Sequence, residues 1–246
     1  MPYPSEGRAK ERLVAAYSKT IACLANSRKR PSGRCIAGRE VTGDGLGPWV
    51  RPVSARPSQE VSVKESRYED GTDPAVLDII EIEMLRPAAA SHQQENHVID
   101  DGCSWVKIGR LEWDQLLRAV EDPKGPLWAN GYSSGNGLND RIPISAARAF
   151  NYSLMLVQPT DLSLAVVIEG GDFRPPRRRL RADFSLANHA YSLVVTDPWA
   201  EGSYLPRGEG STHLDGSLLC VSLTEEFHEY AYKLVAAVIT QDRTGG

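Results

Sequence analysis

Gly131-Tyr132-Ser133-Ser134-Gly135 fits G-x-S-x-G, the spacing that marks the nucleophilic serine of many hydrolases. A nucleophile elbow needs a buried strand before the serine and a helix after it. Here EDPKGPLWAN precedes it, interrupted by Gly125 and Pro126, and NGLNDRIP follows, which cannot open a long helix. The match therefore reads as a coincidence within a Gly/Ser/Asn loop. The same run carries other chemistry. Asn130, Tyr132, Asn136, Asn139, Asp140 and Arg141 bring amides, a phenol, a carboxylate and a guanidinium into a short span. Gly131, Gly135 and Gly137 permit close backbone approach. Such a loop suits recognition of a base, sugar or phosphate. It suits equally a structured linker tied by Asn/Asp turn bonds.

His92 and His97 lie five apart in HQQENH, with Glu95, Asp100 and Asp101 nearby. A zincin needs H-E-x-x-H on one helix face, and this spacing does not supply it. A looser metal site, a ligand contact, and a polar loop in which Asn96 and His97 hold backbone groups all remain open. Glu81 and Glu83 fall on one side of a strand opposite Ile80 and Ile82, as on a solvated face, and GDGLGP matches no phosphate-loop pattern. No cofactor is expected from any of these motifs.

The elements that must position these groups are short strands. With 41% hydrophobic and 24% charged residues in 246, the chain is a folded protein with a sizeable core. Its formal net charge of -4 excludes a polycation, so any nucleic-acid binding must use a local basic surface. The start lacks the apolar core of a signal peptide and no run has the length of a membrane span. A cytoplasmic protein with no membrane partner and reduced cysteines is expected. After a weakly helical stretch at 9–17, strands read at 20–26, 34–41, 49–54 and 77–85, separated by Gly/Pro/Ser turns and two polar crossings. A helix with an apolar face reads at 111–120. Beyond a short helical SAARAF come two strands, a hairpin turning at Ala187–Asn188, and two more strands. The expectation is a mostly β chain. It comprises an N-terminal extension over 1–18, a first barrel with a helical insertion over 19–149, a second barrel over 150–240, and a tail over 241–246.

Several stretches carry a resemblance: CLANSRKRPSGRCIAGRE, WVRPVSARPSQEVS, RYEDGTDPAVLDIIEIE, HQQENHVIDDG, NGYSSGNGLNDRIP, VTDPW and YKLVAAVI. From about Lys19 to Val238 the chain resembles the dual OB-containing domain family. The resemblance implies two tandem OB-like β-barrels with short helices in the connections. It also implies a bacterial source, and a role in binding nucleic acid or nucleotides within a defence system. It carries over no catalytic residues.

OB folds bind oligomers on the face of strands 2 and 3 and between the 1–2 and 4–5 loops. From Lys19 to Lys64 nine basic residues stand against three acidic ones. Arg28, Lys29 and Arg34 fall in or beside the 1–2 turn, with Arg51 and Arg56 on and after the third strand, where phosphate contact is expected. In RPPRRRLR, alternation puts Arg177, Arg179 and Arg181 on one strand face, either for phosphate or to guard an edge. Tyr68 and Tyr132 are candidate stacking residues. The expected function is a non-catalytic nucleic-acid-binding module, with single strands favoured. A sensor holding a nucleotide-like ligand at the domain junction through Asn96, His97, Asn130 and Asn139 is the alternative. An enzyme using a His97/Asp100 metal site is the third reading.

Overall fold

A computed structural model describes residues 16–29, 32–43, 45–171 and 174–244. The helical stretch expected at 9–17 lies almost wholly outside these residues. Six strands form the first sheet: β1 (Tyr17–Lys29), β2 (Gly33–Thr42), β3 (Gly45–Val53), β4 (Asp78–Pro87), β5 (Asn96–Ile99) and β6 (Val106–Arg110). β1, β2 and β3 make an antiparallel meander. β3 pairs in parallel with β5, β5 antiparallel with β4, and β4 antiparallel with the first half of β1. This 1-2-3-5-4-1 circuit closes an OB-like barrel, with β6 added on β4. β1 serves two partners because its register slips between Cys23 and Ala25, the bend a bulge supplies. At that bend Gly38 is required, since a Cβ there would meet the Ala22 carbonyl oxygen at 2.2 Å.

Two short helices lie in the connections, α1 (Val63–Ser66) and α2 (Trp113–Leu117). The second half contains β7 (Arg141–Pro143), α3 (Ile144–Ala147), β8 (Leu154–Val157), β9 (Thr160–Gly171), β10 (Arg174–Leu186), β11 (His189–Val195), α4 (Pro198–Tyr204), β12 (Gly210–His213), β13 (Leu218–Leu223) and β14 (Tyr230–Ile239). The circuit repeats. β9, β10 and β11 form the meander, β11 runs parallel to β14, and β14 pairs with β13. The fourth position is shared: β13 pairs with β14 while β12 returns to β9. Ala187 and Asn188 turn the β10–β11 hairpin with φ of 48° and 62°, the two-residue turn that fits strand twist.

Four expectations are corrected. The polar crossing after β4 contains β5, the strand that closes the first barrel. The Asn130–Arg141 loop runs directly into β7. The helix expected at 111–120 is five residues long, and β3 starts at Gly45 rather than Trp49. For β5 and β7 pairing with distant strands, invisible to local pattern, decided the conformation, whereas β3 is lengthened by its hairpin with β2.

Each barrel has its own core. The first is built on Ile21, Ile36, Ile80, Ile82, Met84 and Trp105, the second on Leu164, Leu180, Tyr191, Leu193, Val221 and Val235. A third cluster belongs to neither. Ala22, Leu24, Ala37, Leu77 and Leu116 from the first half pack against Leu154, Leu156, Leu218, Cys220, Ala237 and Ile239 from the second. β1 through β4 therefore have apolar residues on both faces. Cys23 and Cys35 are free and do not face each other, their register partners being Gly38 and Ser27. No helix among the described residues is long and apolar enough to cross a membrane.

Candidate nucleic-acid interface

The end of β1 is held by the second half of the chain. Arg28 donates its backbone N–H to Thr196 O at 2.9 Å and its guanidinium to Glu201 on α4. Lys29 Nζ reaches Glu225, after β13, at 2.6 Å. Both pairs are partly open to water, with the Arg28 side chain 48% exposed, so each holds its partners weakly. Burial pushes the Glu201 carboxyl up from its ordinary range, and the charges of Arg28 and Arg179 pull it back. Glu201 thus feels the charge of one arginine from each basic run, Arg28 in direct contact. Arg179 and Arg181 reach Glu169 at 3.6 Å and 2.7 Å, and Arg181 is buried rather than in line with its exposed neighbours.

Around this shared carboxylate the cations outnumber their partners. Arg34 stands directly across from Arg28 in the β1–β2 register, a like-charge pair that destabilises a sheet unless an anion joins it. Arg34 has no carboxylate partner among the described residues, and neither do the exposed Arg177 and Arg178. Arg56 is engaged by Glu65 at 2.6 Å.

Arg51, Tyr68 and Asn96 are corrected from surface contacts to interior ones. Arg51 is 3% exposed, with its guanidinium at 2.8 Å from Ser153 Oγ and 3.2 Å from Glu95 Oε1. Asn96 is fully buried, accepts from Arg51 at 3.4 Å and donates to Gln93 at 3.5 Å. Gln93 and His92 reach the carbonyls of Leu223 and Thr224. The 4–5 loop of the first barrel is therefore packed against the second barrel. Tyr68 donates to the buried Asp78 at 3.0 Å, and burial followed by Asp78 drives its phenol far above the usual range.

The Asn130–Arg141 loop folds upon itself as a clasp. Ser133 Oγ accepts from Asn139 N–H, and Ser134 bonds the Asp140 carboxylate through both N–H and hydroxyl. Asn139 donates to Ala190 O and accepts from Gly131 N–H. Asn130 donates to Tyr191 OH and accepts from Lys233 Nζ. Leu138 bridges Ser192 on one side and β7 pairs with β14 on the other, so the segment fills the gap where β11 and β14 diverge. Arg141 lies 4.1 Å over the Tyr230 ring. Of the loop's candidate binding residues, Tyr132 and Asn136 are the exposed ones. The four residues expected to form a junction pocket do not meet: Asn96 is in the Arg51 network, Asn130 and Asn139 are in the clasp, and His97 bonds Tyr17 OH at 2.6 Å. No cluster of His, Cys, Asp or Glu among the described residues could hold a metal, and Asp100 caps Gly102 N–H.

Phe227 was missed. It is 60% exposed, at the base of the tight turn made by His228 and Glu229, whose φ values are 49° and 65°. Phe227 and Tyr230 exchange both backbone hydrogen bonds across that turn. Its ring has the His228 ring edge-on at 4.2 Å, and Glu225, the partner of Lys29, lies two residues back. Phe227 and Tyr230 amid the charges of TEEFHEY were the available signal, and His-Glu is not a recognised hairpin pair.

The model of a family described as DuOB, dual OB-containing domain, matches residues 19–238. No curated protein matches the sequence. A solved structure titled "Crystal structure of the tetrameric p202 HIN2" is similar at 10% identity, covering 91% of this chain and 93% of that one, with a TM-score of 0.27. That score is too low to support an argument.

Proposed function

Because the chain belongs to the dual OB-containing domain family, we propose that it is a non-catalytic module binding single-stranded nucleic acid across the junction of its two barrels. The observation that carries the reading is that both basic runs bear on one carboxylate, Glu201, in contact with Arg28 and under the charge of Arg179, with Arg34 across the sheet from Arg28. Phosphates run along Arg34 and Arg177, turn around the edge of β10 that β11 leaves unpaired before Arg181 to reach Arg178 on the other face, and exchange with the carboxylates on Arg28 and Lys29. Phe227 stacks on a base, a contact that every base accepts. Ser133, engaged by Asn139, supports the non-catalytic part. A bacterial defence setting, implied by the resemblance, belongs to the same proposal.

A labelled single-stranded oligonucleotide titrated at several salt concentrations tests it. Affinity falls with salt, and the triple variant Arg34→Ala, Arg177→Ala, Arg178→Ala lowers the log–log slope by about 2, at ~0.7 per phosphate contact. Phe227→Ala weakens binding about tenfold with the slope unchanged. Absence of binding at low salt would sink the reading, and an unchanged slope in the triple variant would remove these arginines from it.

A further inference from the structure

A cleft of about 720 Å³ lies at the other end of β2 and β3 from Arg28 and Arg34, between the β2–β3 turn and the chain leaving α2. Its size is that of a small-molecule site. Leu46, Ile79 and Leu111 line its apolar floor, which continues into the core between the barrels. Besides Thr42, whose hydroxyl donates to Gly45 O, four polar side chains line it: Arg39, Gln115, Arg118 and Glu121.

Two of the four are fixed in place. Arg39 donates to the carbonyls of Gly47 and Leu46, lies 3.6 Å from Glu121 and sits over the Trp49 ring. Glu121 accepts from Trp49 Nε1 at 3.3 Å and from Leu156 N–H at 2.7 Å. Burial pushes its carboxyl up from the ordinary glutamate range, while the Leu156 N–H, Arg39 and Trp49 pull it back. The other two keep hydrogen-bonding capacity. Gln115 spends its side-chain oxygen on Glu112 N–H, leaving its NH₂. Arg118 is exposed at the end of α2 and has no partner among the described residues. An apolar floor, an amide and a carboxyl at its border, and an unengaged guanidinium together match a ring with a hydrogen-bonding edge and an attached phosphate.

We propose that this cleft binds a nucleoside monophosphate, its ring on the Leu46–Ile79–Leu111 floor, its polar edge toward Gln115 and Glu121, and its phosphate on Arg118. The site shares no residue with the nucleic-acid interface and stands whether or not that interface is real.

Calorimetry on the full chain tests it, with the four ribonucleoside 5′-monophosphates, the matching nucleosides and inorganic phosphate as separate titrants. At least one monophosphate binds with a Kd of roughly 10–100 μM. Arg118→Ala weakens that binding about tenfold while leaving the nucleoside unaffected, and Ala119→Phe, which fills the cleft, abolishes both. Thermal melts confirm that the variants fold, and Arg118→Ala, on an exposed side chain, is read independently of the filling substitution. Arg177→Ala/Arg178→Ala leaves monophosphate binding unchanged, separating the cleft from the phosphate path. No binding by any monophosphate at ~1 mM overturns the proposal. So does binding that both cleft substitutions leave intact, or inorganic phosphate binding as tightly as the monophosphate.

Discussion

Arg51→Met is expected to lower the unfolding free energy by about 3–5 kcal/mol, the loss typical of removing one partner from a buried ion pair. Arg51 and Glu95 are 4% and 6% exposed in their side chains, so the carboxylate left behind has little water to solvate it. Glu95 would keep only the Ser153 hydroxyl, and its Oε2 already has no partner. The substitution also removes the contacts of Arg51 with Ser153 and Ser222, which come from the other barrel. Met fills much of the arginine stem's volume, so the loss reports the charge rather than a void. Urea unfolding measures it. The double variant Arg51→Met/Glu95→Met should recover more than half of the loss, because no charge is then buried alone. A single-variant change below about 1 kcal/mol would show that water reaches the junction and that the pair does not hold the two barrels together.

Stability should also rise by about 1–2 kcal/mol between pH ~6.5 and ~9, and Lys233 is the cause, its own contribution partly offset by two buried thiols. Its side chain is 1% exposed, with Nζ donating to Ala129 O at 2.6 Å and Asn130 Oδ1 at 2.9 Å. Burial pulls its pKa from 10.5 down to about 7, against the smaller upward pull of Asp140. Below pH 7 both folded and unfolded chains hold the proton and there is no slope. Above it the folded chain has released a proton that the unfolded chain keeps up to about 10.5, so stability increases with pH. The rise is cut short by the buried thiols. Cys23 is pushed up to about 12 and Cys220 well above its ordinary value, both chiefly by burial. Above about pH 9 the unfolded chain loses thiol protons that the folded chain retains, and stability turns down. His92 and His97, lowered by burial, act only below about 6.5 and do not shape this window. Urea midpoints at several pH values give the profile, and Lys233→Met should flatten the rise. A wild-type curve without slope between pH 7 and 9 would falsify the assignment.

Much of the fold was legible because strand patterning is local. Ile80, Ile82 and Met84 alternate with Glu81, Glu83 and Leu85 as one buried and one open face, and the structure keeps that alternation. The hairpin at Ala187–Asn188 was legible for the same reason. β5 and β7 were not, since four and three residues carry too little period to register and their hydrogen bonds come from distant strands, β3 and β4 for β5 and β14 for β7. The candidate site divides along the same line. That the first 1–2 turn and the start of β10 are basic is a property of the residues; that both bear on Glu201 is not.

By itself the sequence determined a chain of short strands, a family, two basic runs, and a Gly/Asn loop whose serine lacks the flanks of a nucleophile. Only the tertiary structure decided which of the charges stay in water. Packing β1 to β4 against the second barrel buried Arg51 and Asn96 at a junction core, left Arg34, Arg177 and Arg178 outside it, and turned the Asn130–Arg141 loop into the closure of the second barrel. The physical reason is that burial and ion pairing depend on distance in space. An arginine on a strand has the same local pattern whether its outer face meets solvent or another barrel.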